Sequence, residues 1–296
     1  MSGELAGRPL ALSSPNKQLW PGFTKAELVD YYLGIAPVLL PHLAGRAITL
    51  GRFPDGIDGP AFAQTECRGR PDWIPTRPVQ LRSGTVRNYC LIEEPAALAW
   101  IGNLGTLELH PFLHRENPDS PDFVVFDLDP GADAGLSECC WAALRLRELL
   151  EEFGLAAAAK TSGGYGLHVY VPLGPSHSYA DSKRFARNVA ARLVREEPAR
   201  ITDRSAKELR AGRVLVDWAQ SDRSRSTIAP YSPRAADEAT VSTPLNWEEI
   251  ERSDPDALRF SPQRVLARAR SVGDPFAAVL TTCQRLPLDQ RGITWP

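Results

Sequence analysis

The chain has 296 residues, 43% hydrophobic and 24% charged, which suits one large globular domain or two modest ones and leaves no room for a multi-enzyme fusion. No stretch approaches the ~18–20 uninterrupted apolar residues of a membrane span, and MSGELAGRPLALSSPNK lacks the charged start and apolar run of a signal peptide, so the sequence reads as cytoplasmic. A net charge of −2 argues against a uniformly basic nucleic-acid-coating protein, although Asp181 to Arg234 carries 13 Lys and Arg against 7 Asp and Glu, a solvated helix face or a site for an anion.

Thr24 followed by Glu27 is a capping-box signature, and Leu28, Val29, Tyr32 and Leu33 recur at helical spacing, which predicts a helix from about Lys25 that Pro37 kinks or divides. From Ala47 to Leu109, Gly and Pro punctuate short β-prone runs, AITLGRF, VRNYCLI and TLELH, as in strands joined by loops. The five cysteines, 67, 90, 139, 140 and 283, fit neither a disulfide framework nor a CxxC knuckle and are expected to be reduced. Cys67, Cys90, His110 and His114 could make a zinc site only at looser spacing than such sites usually show. Further on, PDFVVFDLD reads as a strand, SECCWAALRLRELLEEFG as a helix ending at Gly154, AAAAKTSGG and GLHVYVPL as strands around a glycine turn, SYADSKRFARNVAARLVREE as a helix, and GRVLVDW as a last strand. Strand, helix, two strands, helix, strand is the order of a ferredoxin-like palm, so the fold class is α+β, with an N-terminal α/β subdomain (1–118) packed on a palm (119–296) inside one domain (1–296).

Three elements carry candidate chemistry. Asp127 and Asp129 are two apart on a strand and emerge from one face; two carboxylates so close repel unless a cation lies between them, which points to a hard divalent metal. Asp217 ends VLVD and is suited to reach the same edge, and three carboxylates around two metals is an arrangement for nucleotidyl transfer. The plainer reading of DLDPG is a strand running into a turn. In KTSGGYGLHVYVPL, Gly163, Gly164 and Gly166 permit a tight turn whose N–H groups approach phosphate, with Ser162 and His168 as flanking donors, although a structural hairpin has the same composition. In VLVDWAQSDRSRSTIAPYSPRA, Gln220, Arg223, Arg225 and Arg234 suit a triphosphate or a DNA backbone, or an ordinary surface ion-pair cluster.

In this order and spacing the elements resemble the polymerase domain of bacterial ligase D, a branch of the archaeo-eukaryotic primase superfamily. The likeness runs from SPNKQLWP and TKAELVDYY through GRFPDGIDGPAF and WIGNLGTLELHPF to FDLDPG, TSGGYGLHVY, VDWAQ and IAPYSPR. It implies a primase-type fold, with Asp127, Asp129 and Asp217 binding two catalytic metals, manganese or magnesium. It also implies that Ser162, Gly163, Gly164, His168, His110, Gln220 and Arg234 hold the nucleoside triphosphate. For DNA it implies Lys17 and Lys25 on a 5′-phosphate across a gap and Phe62 against the template, with Arg52, Arg223 and Arg225 as further contacts. The implied activity is primase-polymerase gap filling or end extension in end joining, preferring ribonucleotides, near the bacterial nucleoid, beside a separate ATP-dependent ligase and Ku.

The sequence departs from that pattern where paired phenylalanines become Phe62-Ala63, where Tyr165 replaces a common lysine, and where Gly51 replaces a basic residue. Together with FAQTECRGRPDW, and the absence of a KxDG adenylation motif, these suggest a stand-alone branch working beside a ligase C. Two rival readings remain. VVFDLDP resembles the nucleophile motif of haloacid-dehalogenase-type phosphatases, although Gly131 occupies a position where they carry Thr or Val. The other is a non-catalytic DNA-end or gap-binding module that recruits a ligase, for which the carboxylates would be unnecessary and, near phosphates, repulsive.

Overall fold

The computed structural model describes residues 4–252, 254–289 and 292–293. The chain divides into two compact units: residues 1–112 with 226–242 and 260–274, and residues 113–225 with 243–259 and 275–296. The first thus includes two late segments, 226–242 and 260–274. Among the described residues no helix is long and apolar enough to cross a membrane.

In the first unit the helix Lys25–Leu43 starts at Thr24, whose side chain accepts from Glu27 N–H while the Glu27 carboxylate accepts from Thr24 N–H, the expected capping box. It runs on through Pro37 and Pro41, so Pro37 does not divide it. The reason is packing: Leu28, Tyr32, Ile35, Leu39 and Leu43 form one fully buried stripe across the prolines. Burial at ~1.5–3 kcal/mol per large side chain outweighs the ~3 kcal/mol of an interior proline. The helix Pro95–Asn103 packs beside it. The sheet of this unit is antiparallel, in the order Phe62–Gln64, Ile48–Arg52, Val86–Cys90, Thr76–Gln80, with Thr106–Pro111 also paired to Ile48–Arg52.

Cys67 and Cys90 form a disulfide with Cα atoms 5.0 Å apart, which corrects the expectation of reduced cysteines and removes both from any zinc site. The pairing arises because Cys67 N–H donates to Asn88 O at 2.7 Å, laying the segment after Phe62–Gln64 along Val86–Cys90. Cys139, Cys140 and Cys283 are free thiols.

The second unit is the expected palm. Phe123–Pro130 lies between Leu167–Pro172 and Val214–Asp217, with Ala158–Thr161 beyond Leu167–Pro172, all antiparallel. Ile201–Thr202 extends one edge in parallel and Pro244–Leu245 the other in antiparallel. Helices Leu136–Glu152 and Tyr179–Glu196 pack on the sheet. Along the central strand Val124, Phe126 and Leu128 are fully buried. The opposite face is apolar at one end, where Phe123 and Val125 join Leu113, Tyr170, Tyr179, Phe276 and Val279, and acidic at the other, where Asp127 and Asp129 stay partly exposed. An antiparallel sheet of this order is not the parallel one on which a phosphatase nucleophile of the dehalogenase type would sit.

Candidate active site

Period-two alternation puts Asp127 and Asp129 on one strand face, and pairing adds the rest. Asp127 stands directly opposite Asp217 on one side and directly opposite His168 on the other, and His168 in turn stands opposite Lys160. Lys160, His168, Asp127 and Asp217 thus form one row across four strands. The His168 Nε2 atom lies 3.1 Å from Asp127 Oδ1. Gln220 Nε2 donates to Oδ2 of Asp127 at 3.4 Å and to Oδ2 of Asp217 at 3.2 Å, holding the two carboxylates side by side. Asp217 spends its other oxygen on Ala219 N–H at 2.9 Å, capping the single turn Trp218–Gln220 that carries Gln220.

The glycine turn is pinned to this row. Ser162 Oγ accepts from Gly164 and Gly166 N–H at 3.2 Å each, and Ser162 N–H donates to Gly166 O at 2.9 Å. Those bonds leave the Ser162 hydroxyl hydrogen to donate elsewhere. Gly163 takes φ +83°, a left-handed conformation. A Cβ on Gly166 would meet Leu128 O at 2.4 Å and Asp129 Oδ1 at 3.3 Å, so only glycine lets the turn lie this close to the acidic strand.

Asp127 and Asp217 face each other as like charges, an unfavourable pair on a sheet unless a cation or donors offset it. Three carboxylates with a side-chain amide are hard oxygen donors, the chemistry of magnesium, manganese or calcium. The row therefore fits a divalent cation by donor type, although among the described residues no three His, Cys, Asp or Glu side chains close around a metal position. In the side chains as they stand, Gln220 donates to one carboxylate oxygen each of Asp127 and Asp217, and His168 Nε2 lies 3.1 Å from Asp127 Oδ1. Burial, and then the charges of Asp129 and Asp127, push the Cys139 thiol well above its usual range, so it stays protonated, and it donates to Leu128 O at 3.4 Å.

His110 and Arg234 belong to the first unit and converge there on a carboxylate that sequence reasoning missed. Glu108 accepts from Ala235 N–H at 3.0 Å, lies 2.9 Å from His110 Nε2 and 3.3 Å from Arg234 Nε. Burial by itself would raise Glu108, but the His110 hydrogen bond, the Arg234 charge and the Ala235 N–H together hold it below its ordinary value. The alternation of Glu108 and His110 in TLELHPF is the signal that could have revealed it.

The same unit gathers the proposed DNA-contacting cations. Lys25 is buried, donating to Ser13 O at 2.6 Å, and Lys17 donates to Pro54 O and Asp55 Oδ1 at 2.9 Å each. Burial, then the charges of Lys17 and Arg52, lower the Lys25 pKa, which marks a cationic cluster that an anion would relieve. Arg52 stacks over the Phe62 ring at 5.5 Å, and Phe62 is 51% exposed, an aromatic face presented to solvent. Arg223 and Arg225 are exposed in the second unit, Arg223 paired with Asp119 at 2.9 Å. Sequence reasoning also missed Lys160, fully buried, and Ser221, whose hydroxyl accepts from Val125 N–H at 3.1 Å and donates to Val125 O at 3.3 Å, anchoring the segment after Asp217 to the acidic strand.

A ferredoxin-like palm with Asp127, Asp129 and Asp217 on one sheet face and a glycine turn against them defines a primase-polymerase type of fold. The family model for the LigD primase-polymerase domain matches residues 24–276, and the chain belongs to that family. The polymerase domain of Mycobacterium tuberculosis ligase D, solved in complex with DNA, matches with a TM-score of 0.88 at 37% identity, covering 93% of this chain and 99% of that one. The multifunctional non-homologous end joining DNA repair protein LigD of Mycobacterium tuberculosis (strain ATCC 25618 / H37Rv) is 38% identical over 284 residues, 92% of this chain and 37% of that protein. The bifunctional non-homologous end joining protein LigD of Bacillus subtilis (strain 168) is 29% identical over 266 residues, 90% of this chain and 43% of that protein. The chain thus spans well under half the length of these curated relatives.

Proposed function

We propose that the chain is a metal-dependent, template-directed nucleotidyltransferase that fills short gaps or extends ends in double-strand break repair, preferring ribonucleotides. The observation that carries this reading is the row in which Asp127 faces Asp217, with Asp129 on the same face and the Ser162–Gly166 turn packed against it. Asp127, Asp129 and Asp217 would hold two divalent cations, manganese or magnesium, which when bound lower the pKa of a 3′-hydroxyl and neutralise departing pyrophosphate. Gln220 keeps Asp127 and Asp217 aligned for that task. The Ser162 hydroxyl, presented by the turn that Gly163 and Gly164 form, grips the triphosphate, with His168 beside it. In the first unit, Glu108 fixes the orientation of His110 and Arg234, whose remaining donors suit a nucleoside triphosphate.

Lys17, Lys25 and Arg52 take the 5′-phosphate on the far side of a gap, Phe62 stacks on a template base, and Arg223 and Arg225 contact the backbone. One aromatic face instead of two gives up part of the ~1–3 kcal/mol per base that stacking supplies. DNA is the partner by the same reading, with an ATP-dependent ligase and Ku completing repair at the bacterial nucleoid. The test is extension of a 5′-phosphorylated, single-nucleotide-gapped duplex with Mn²⁺ and ribo- or deoxyribonucleotides. Incorporation should require Asp127 and Asp217, favour ribonucleotides, and weaken when the 5′-phosphate is removed or Lys17 and Lys25 become Ala. Incorporation by Asp127→Ala at the wild-type rate would overturn the metal assignment. Tight gap binding with no incorporation under any metal would make the chain a DNA-end-binding module.

A further inference from the structure

The row across the palm has a fourth member for which the reaction just described has no use. Lys160 is a buried lysine on Ala158–Thr161, 0% exposed, and its Nζ lies 3.2 Å from His168 Nδ1. With Lys160 as an ammonium, which has donors only, Nδ1 of His168 accepts and the ring proton is then on Nε2. That nitrogen is the one 3.1 Å from Asp127 Oδ1. The Tyr170 ring, stacked on His168 with an 18° interplanar angle and with Lys160 Nζ 5.9 Å from its centroid, holds both partners from the side.

We propose that Lys160 is a positioning residue for Asp127. Resting on the metal-site reading above, it acts through His168: Lys160 donates to Nδ1, the ring proton is then on Nε2, the nitrogen that faces Asp127 Oδ1 at 3.1 Å, and this packing holds the Asp127 carboxylate in place for a divalent cation. Register supports this independently of any single distance, because Lys160, His168 and Asp127 are direct cross-strand partners on one face. Outer partners of this kind orient metal-binding groups, and their loss typically weakens metal binding or activity about 10–100-fold.

The experiment compares wild type, Lys160→Met, Lys160→Arg and Asp127→Asn in the full chain, by Mn²⁺ titration followed by electron paramagnetic resonance and by the ¹⁵N spectrum of His168. Wild type should show the Nε2–H tautomer. Lys160→Met should bind Mn²⁺ about 10–100-fold more weakly, with kcat reduced at limiting metal and nucleotide KM nearly unchanged at saturating metal. Lys160→Arg, which keeps a donor, should recover much of the loss. A folded Lys160→Met with wild-type Mn²⁺ affinity overturns the proposal, as does a wild-type His168 protonated on Nδ1 alone. Should Lys160→Met fail to fold, Lys160→Gln and the tautomer of the wild type decide the matter. Wild type that binds no more Mn²⁺ than Asp127→Asn would instead overturn the metal-site reading, a different failure that the tautomer measurement separates from this one.

Discussion

Gly166 is where the geometry makes its sharpest quantitative demand. Replacing it with alanine puts a methyl 2.4 Å from Leu128 O, about 1 Å closer than ordinary contact, and the obstacle is backbone in the central strand and not a side chain that can swing away. The hairpin must lift from the acidic strand at the point where Leu167 pairs with Leu128. Overpacking of this kind costs about 1–3 kcal/mol, partly offset by ~0.4–1 kcal/mol from the stiffer unfolded chain. A net loss of about 1 kcal/mol corresponds to a Tm lower by roughly 2–4 °C for a protein of this size. The control lies two residues away: a methyl on Gly164 meets only Ser162 Oγ at 3.6 Å, an ordinary contact. Thermal unfolding of both variants, with Mn²⁺-dependent incorporation measured beside it, should show Gly166→Ala damaged in both and Gly164→Ala close to wild type in stability. Equal stability of the two variants would mean that the turn does not rest on the acidic strand.

Two further outcomes follow from local chemistry. Because Glu108 is held below its ordinary value, its contribution is complete above the unfolded value of ~4.3 and disappears as pH falls through the lower folded value. The Tm gap between wild type and Glu108→Gln should accordingly be widest near about pH 7 and close on acidification toward about pH 3, whereas a gap independent of pH would show that the carboxylate charge is not what binds His110 and Arg234. The disulfide joins cysteines 23 positions apart, so its loss in Cys90→Ala should cost about 3 kcal/mol by chain entropy. That is a Tm drop of roughly 6–12 °C, and dithiothreitol should lower wild-type Tm by a similar amount; an unchanged melt under reductant would refute the bond.

The palm was legible because its signals are local. Alternation put Asp127 and Asp129 on one face, the turn fixed the hairpin, and the helix and strand patterns stand where expected. The continuous helix through Pro37 and Pro41 was not legible, because what holds it together is a stripe of tertiary contacts that propensity does not record. Nor was the disulfide, since its partners meet only once the loop after Phe62–Gln64 lies along a strand two elements later. Most residues nominated from motifs fell into three groups within their own units: the Asp127, Asp217, Gln220 and His168 cluster, the His110 and Arg234 pair, and the Lys17, Lys25 and Arg52 cations, with Arg223 and Arg225 outside them.

What was missed at these groups differs in kind, and the difference has a physical origin. Glu108 is joined to Ala235 and Arg234 across more than a hundred residues, by a late segment that returns to the first unit, and no local pattern reports such a contact. Lys160 is another matter. A hairpin closed by a hydrogen bond between Ser162 and Gly166 forces Thr161 opposite Leu167 and therefore Lys160 opposite His168, so the partnership could be counted outward from the turn. It escaped notice because a lysine beside a run of alanines looks like a solvated strand end. A buried ammonium is costly unless partners compensate it. Keeping one at zero exposure against a histidine that touches Asp127 is therefore a feature the fold must stabilise elsewhere, and it directs attention to the carboxylate at the end of the row.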